Sequence, residues 1–240
     1  MVSLKGRKTA IIGGTAGIGL ATARLLSERG ADVTVGGRDD RRLAEARKSI
    51  GDGVATIPVD ATDRESLQSF FGQAGPIDDL VVTVTRRGGA GPAAQLTEQD
   101  VEEAFAGKPA AHLRAVAEAL PTLDERGSVT LVGAGSAQSA LPGTALLAAV
   151  NGAVEAAVPP LARELAPRRV NAVSPGVIDT GWWDVLPEEE REATFEQLSE
   201  QTPVGRIGSP DDVAHAISEL IENDYISGVV LPCDGGLRLT

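Results

Sequence analysis

The chain has 240 residues, 42% of them hydrophobic and 3% aromatic, which is long enough to bury a sizeable core. Its net charge of −12, from 22 basic and 34 acidic residues, argues against nucleic acid or an anionic membrane as the main partner, because phosphate surfaces are bound by clustered Lys and Arg. The lone Cys233 excludes an internal disulfide and a cysteine-rich zinc site, and the two histidines, His112 and His215, argue against a histidine metal centre.

Residues 9–12, Thr-Ala-Ile-Ile, predict a buried first strand. This apolar run breaks at Gly13-Gly14, too early for a signal peptide. Residues 18–29 predict a helix with Ile18, Ala21, Leu25 and Leu26 on one face, stopped by Gly30. A strand at 32–35, a helix at 41–50, a strand at 54–59, a helix near 64–73 and a strand at 79–84 follow. Thr97 with Asp100 three residues on is a capping signal for a long helix reaching about Leu120. Residues 129–132 predict a fifth strand, 145–166 a helix, 170–173 a sixth strand and 229–231 a seventh.

Pro159-Pro160 interrupts the 145–166 helix, and proline inside a helix removes a bond and clashes with the preceding turn at about 3 kcal/mol or more, so a kink or break is expected there. Residues 181–210 form the one long excursion between strands, with a helical stretch whose first turn carries Glu188, Glu189 and Glu190. The weakly charged stretch 127–154 lacks the unbroken apolar run of about 20 residues that a membrane span requires. A soluble, cytoplasmic chain is expected. Strand–helix alternation throughout predicts a parallel sheet covered by helices on both faces, with right-handed crossovers.

Gly13-Gly14-Thr15-Ala16-Gly17-Ile18-Gly19 follows the first strand and opens the first helix. Glycines permit a tight turn and close approach of backbone to a pyrophosphate, and the helix N-terminus offers it N–H groups and partial positive charge. The expected fold is therefore α/β: one doubly wound, Rossmann-type domain over residues 1–240, with a seven-stranded, mostly parallel sheet.

The spacing Gly-x-x-x-Gly-x-Gly resembles the short-chain dehydrogenase/reductase family, and the resemblance covers nearly the whole chain. Asp60 resembles the family's adenine-contacting Asp, and residues 77–81 resemble the lead-in to its fourth strand. Residues 169–176, Arg-Val-Asn-Ala-Val-Ser-Pro-Gly, resemble its sixth strand and Pro-Gly turn. Residues 205–208, 210–214 and 234–236 match its C-terminal third. The resemblance implies that Gly13, Thr15, Gly17, Ile18, Gly19, Asp60, Ala61, Thr83, Pro175, Gly176, Ile178 and Thr180 hold a nicotinamide dinucleotide, and that residues 181–210 form a substrate lid. The second strand ends Gly36-Gly37-Arg38, with no carboxylate near Gly37 to accept a ribose 2′-hydroxyl. Arg38 would instead pair with a 2′-phosphate, which favours NADP(H) over NAD(H); a solvated charge or a stack on adenine is the other reading of Arg38.

Family members carry a Tyr-x-x-x-Lys pair on the helix after the fifth strand, one turn apart and on one face. The lysine lowers the tyrosine pKa, and the tyrosine passes a proton to the substrate oxygen. Here the same register puts Leu147 and Asn151 in those positions, and the family serine falls near Gly133 or Ala134. The only tyrosine, Tyr225, lies just before the last strand, and the lysines are Lys5, Lys8, Lys48 and Lys108. The family's Asn on the preceding long helix aligns with Lys108, so lysine and asparagine would have exchanged helices. Lys108 is thus either the replacement cation or acid, together with Asn151 and Ser136, or an exposed helix residue before Pro109. Ser136 and Ser139 are either substrate contacts or hydrogen-bonders within their loop.

On the substrate side, Arg86 and Arg87 follow the fourth strand, where they would hold a carboxylate or phosphate or simply face solvent. Trp182 and Trp183 would form an aromatic wall, a lid-to-core anchor, or one of each. His112 and His215 are expected at core-edge or surface positions. The expected function is NADP(H)-dependent oxidation or reduction of a small carbonyl or alcohol without the usual Ser-Tyr-Lys relay. A non-redox isomerase, cyclase or dehydratase, or a silent subunit paired with an active relative, is the alternative. The resemblance also implies a homo-oligomer, dimer or tetramer, with the Pro159-Pro160 break placing its usual interface helix in doubt.

Overall fold

The carboxyl ends of the central strands are brought level by their pairing. In the computed structural model, which describes residues 1–51, 53–86 and 88–240, the strands are β1 (Lys8–Ile12), β2 (Asp32–Gly37), β3 (Ala55–Pro58), β4 (Ile77–Val82), β5 (Leu123–Val132), β6 (Arg169–Pro175) and β7 (Val230–Cys233). They form one sheet in the order β3-β2-β1-β4-β5-β6-β7, every neighbouring pair parallel. Ile12 pairs with Gly36 and Val82, Val82 with Leu131, and Leu131 with Ala172. The chain winds outward from β1 to β3, then crosses to β4 on the other side of β1. That reversal opens a crevice at the carboxyl ends of the strands.

The helices are α1 (Gly17–Glu28), α2 (Asp40–Ile50), α3 (Arg64–Ala74), α4 (Glu98–Phe105), α5 (Ala111–Ala119), α6 (Ala145–Ala156), α7 (Val158–Glu164), α8 (Glu188–Gln201) and α9 (Pro210–Glu222). Alternation along each strand divides the core between two faces. Ile11, Val81, Val132 and Val173 pack with Leu26 of α1 and Ile217 and Leu220 of α9. Ile12, Leu80, Val82 and Leu131 pack with Phe70 and Phe71 of α3, Val116 of α5 and Val154 of α6. Each such side chain contributes about 1.5–3 kcal/mol on burial. Toward the amino-terminal side of the central strands, the fully buried Asp79 accepts two hydrogen bonds from Arg7 (both 2.8 Å) and one from Ser128 Oγ (2.6 Å), which ties the start of β1 to β4 and β5.

Most expected elements are present, with three informative differences. The long helix after Thr97 starts with the expected capping box, then opens into a π-turn at Ala106–Ala110 before continuing as α5. Pro109 lacks the N–H that a regular turn needs, and the wider turn accommodates its ring. The expected helix 145–166 is broken at Ala157, and Pro159 and Pro160 fall in the first turn of α7, where a missing N–H costs least. The residues Ala145–Glu164 are apolar enough by length and composition to cross a membrane. Yet Leu146, Val150, Val154 and Val158 are buried within the fold, and the run is not one helix. Finally, β5 starts at Leu123, well before the expected 129. The excursion after β6 contains a 3-10 turn at Gly181–Val185 and then α8.

Candidate functional site

At the turn from β1 to α1, Gly13 has φ +93° and Gly17 φ +51°, conformations that side chains rarely adopt. A Cβ on Gly13 would stand 2.6 Å from Thr83 Oγ1, and one on Gly19 only 2.3 Å from the Gly13 carbonyl oxygen. Thr83 Oγ1 donates to the Ile12 and Gly13 carbonyls (3.2 and 3.1 Å), joining the end of β4 to the loop. Helix α1 has Ala16 at its N-cap, with no capping side chain, so its first-turn N–H groups are left for a ligand. This cradle fits a dinucleotide pyrophosphate.

At the end of β2, a Cβ on Gly37 would stand 2.6 Å from Thr15 Cγ2, so Thr15 fills the space a ribose-reading carboxylate would occupy. Arg38 is exposed next to it and faces Asp60 electrostatically. Burial raises the Asp60 pKa, but hydrogen bonds from Thr62 N (2.9 Å) and Thr62 Oγ1 (2.7 Å), with the Arg38 charge, outweigh it and leave the carboxyl below its usual range. Ala61 is buried beside it.

A cleft of about 740 Å³ opens at the carboxyl ends of the strands. Ile18, Thr83, Pro175, Gly176, Ile178 and Thr180 line one side of it. Thr180 caps the 3-10 turn through Trp182 N (3.3 Å) and stands against Gly17. Gly13, Thr15, Gly17 and Gly19 form the adjoining loop, while Arg38, Asp60 and Ala61 lie beyond the lining, at the ends of β2 and β3.

The other side of the cleft gathers Lys108, Ser136, Leu147 and Asn151. Lys108 sits in the π-turn, is 7% exposed, and donates from Nζ to the Gly133 carbonyl (3.2 Å). The exposed-helix reading of this residue is therefore overturned. Burial lowers its pKa to about 8, against the pull of the Glu155 carboxylate. Glu155, on α6, is buried, and its Oε1 accepts from Ser174 Oγ (2.6 Å). His112, expected at the surface or core edge, is fully buried. Its Nε2 donates to the Val84 carbonyl (2.9 Å), and Nδ1 has no hydrogen-bond partner among the described residues. Burial, then the nearby Lys108 charge, lowers its pKa to about 3, so it is neutral.

Asn151 is 3% exposed and spends both N–H bonds of Nδ2, on Ser136 Oγ (3.0 Å) and the Leu147 carbonyl (2.8 Å). Its buried Oδ1 has no partner among the described residues. Ser139 also lines the cleft, and its Oγ accepts from Leu141 N (3.1 Å) within the loop. Arg86 stands at the rim, ion-paired with Glu103. Arg87 lies outside the described residues. Trp182 and Trp183 both line the cleft; Trp183 is also an anchor, donating from Nε1 to the Ile178 carbonyl (3.0 Å) and packing edge-on against Phe195 at 5.5 Å. The sequence reading missed Glu155, whose only signal is an acid one turn after Asn151 on an otherwise apolar helix. It also missed Leu198 and Leu237, which add to the apolar wall.

Comparison with known proteins places these features in context. A family model described as enoyl-(acyl carrier protein) reductase matches residues 13–238. The cis-4-hydroxycyclohexanecarboxylate dehydrogenase of Sinomonas cyclohexanicum is 34% identical over 249 residues, covering 96% of both chains. Among solved structures, the MalC reductase/Diels-Alderase of Malbranchea aurantiaca superposes with a TM-score of 0.91 at 27% identity, covering 99% of this chain and 98% of that one. A small-chain dehydrogenase in complex with NADPH superposes with a TM-score of 0.85 at 29% identity, covering 98% of this chain and 100% of that one.

Proposed function

The chain belongs to the short-chain dehydrogenase/reductase family of oxidoreductases, and from that premise we propose that it moves hydride between NADP(H) and a carbonyl or alcohol carbon of a small, largely apolar substrate, without the family's Tyr-x-x-x-Lys pair. The observation that carries this reading is the shared cleft. It gathers Thr83, Gly176 and Thr180, beside the glycine cradle, with buried Lys108 and Asn151 and half-buried Ser136.

The residues present fit the cofactor. Gly13, Thr15, Gly17, Ile18 and Gly19 would hold its pyrophosphate, and Asp60 with Ala61 its adenine. Arg38, beside a Gly37 that has no room for a carboxylate, would pair with the 2′-phosphate, a choice supported by the NADPH-bound relative. Thr83, Pro175, Gly176, Ile178 and Thr180 would position the nicotinamide end. When bound, the dihydronicotinamide supplies hydride to a carbonyl carbon. The protein's task is then to orient that carbonyl, exclude water and deliver a proton to its oxygen. Trp182, Trp183 and Leu147 give the substrate an apolar wall, and Arg86 meets an anionic substituent at the rim. Leu147 has no ionisable proton, so the proton has another source. Val101, Phe105 and Leu113 are exposed along α4 and α5, an apolar line that assembly into a homo-oligomer would cover.

The test is calorimetric titration with NADPH and NADH, followed by NADPH absorbance during incubation with a panel of ketones and quinones. Tighter NADPH binding and carbonyl-dependent consumption are expected. Absence of both overturns the reading. A second reading, a non-redox cyclisation in the same cleft, is favoured by Leu147 at the family's tyrosine position and by the Malbranchea relative named as both reductase and Diels-Alderase. Product formation without NADPH consumption would identify it.

A further inference from the structure

We infer that Lys108 is the acid–base group of the cleft: its ammonium, held on the Gly133 carbonyl and balanced by the Glu155 carboxylate, gives the proton that the substrate oxygen requires. The inference rests on the oxidoreductase reading and names the group that reading leaves open.

The cleft offers few other donors among the described residues. The Thr83 and Thr144 hydroxyls are spent on backbone carbonyls. Arg86 and Arg238 do not release protons near neutrality. Asp100 closes the capping box of α4. Ser136 Oγ accepts from Asn151, and a free hydroxyl is too weak an acid without a base. Lys108 combines a place in the lining with a pKa drawn toward neutrality, as a general acid requires.

The local architecture is built around one glycine. Lys108 Nζ binds the Gly133 carbonyl from one side, and a Cβ on Gly133 would stand 2.7 Å from Glu155 Oε1 on the other. A buried cation and a buried carboxylate thus share the end of β5, and the missing side chain makes room for both. The remaining neighbours leave the pair undisturbed. His112, on the helix that carries Lys108, is neutral. Glu103 of α4 is occupied by Arg86. Val84 presents only a carbonyl, to His112.

In the reduction direction, Lys108 Nζ would give a proton to the oxygen of a carbonyl whose carbon takes the hydride that the bound cofactor would supply, so that the carbonyl becomes an alcohol at the expense of that cofactor. The neutral amine left on Lys108 would regain a proton from water. Oxidation runs the same transfers in reverse, with the amine as base.

The chain has only four lysines, so protein labelled at lysine Cε with ¹³C gives four signals, and the one lost in Lys108→Met is Lys108. Its titration midpoint is expected near 8, well below the ordinary lysine value, and lower still in Glu155→Gln. Lys108→Met and Lys108→Arg are expected to lose about 100-fold or more in kcat with the carbonyl that wild type reduces fastest, while the calorimetric NADPH Kd stays within about twofold. The double variant Lys108→Met/Glu155→Gln removes the uncompensated charge, and is expected to fold and remain equally slow. Wild-type turnover in Lys108→Met, rescue by Lys108→Arg, or a Lys108 midpoint at the ordinary lysine value overturns the inference. Failure of the broader reading has a different signature: wild type itself neither binds NADPH nor consumes it, and the inference falls with it.

Discussion

At the β1–α1 turn, Gly13 and Gly19 bring backbone atoms so close that side chains would collide with a carbonyl or with Thr83, and Gly17 holds a positive φ. At the ends of β4 and β5, side chains from separate helices meet instead: Lys108 from the π-turn, His112 from α5, and Asn151 and Glu155 from α6. The first region is a shape that sequence must satisfy. The second is a set of functional groups that substitution can rewrite without disturbing the sheet. Leu147 and Asn151 lie one turn apart on a well-formed helix. On the reading proposed above, the reaction end changes its chemistry while the cofactor end keeps its own.

Four substitutions or conditions probe this contrast. The largest expected effect is Gly19→Ala, whose methyl would overlap a backbone carbonyl at 2.3 Å. Calorimetry should show loss of NADPH affinity of at least about 100-fold, on the order of 3 kcal/mol. Retention of affinity would show that the loop yields as readily as the reaction end.

Acid comes next, and it acts on the reaction end. His112 is neutral in the fold, with its pKa lowered from 6.5 to about 3, so the unfolded chain takes up a proton first as pH falls. Stability from this group is complete above about 6.5 and is lost progressively toward 3. Between pH 7 and 4.5 the loss is on the order of 3 kcal/mol, read as a falling urea midpoint. His112→Gln should flatten that part of the profile.

Arg38→Ala should weaken NADPH binding about 10- to 100-fold and leave NADH nearly unchanged, since a charge-assisted pair contributes about 1.5–3 kcal/mol. Equal losses for both cofactors would mean that Arg38 stacks on adenine or stabilises the β2 end. The smallest effect is expected from Ser136→Ala, which removes the partner of one Asn151 N–H bond. A rise in KM of about fivefold with little change in kcat would mark a positioning role.

The fold was legible wherever local chemistry leaves one reading. Gly13-Gly14-Thr15-Ala16-Gly17-Ile18-Gly19 sits between a β-branched run and an amphipathic helix, and both neighbours formed as expected. Pro159-Pro160 broke its helix because no interior position tolerates two missing N–H groups. The reaction end was harder to read, for a geometric reason. The π-turn at Ala106–Ala110 inserts an extra residue into the helical phase, so a straight 3.6-residue wheel misjudges which face Lys108 and His112 occupy. Glu155 was hidden for another reason. An acid on a helix ordinarily marks solvent, and only the tertiary approach of Lys108 and Ser174 makes burial tolerable here.

The cleft also carries its own optical reporter. Both indoles of the protein, Trp182 and Trp183, stand in its wall, and the single phenol, Tyr225, is 97% exposed on the turn before β7. Nearly all intrinsic emission therefore originates within contact distance of whatever occupies the cleft. A dihydronicotinamide absorbs where indole emits, so its arrival should quench tryptophan light by energy transfer, with no label attached. The two rings should also be separable by lifetime. Trp183 is immobilised by the Ile178 carbonyl and the edge of Phe195, and Trp182 reports the open side.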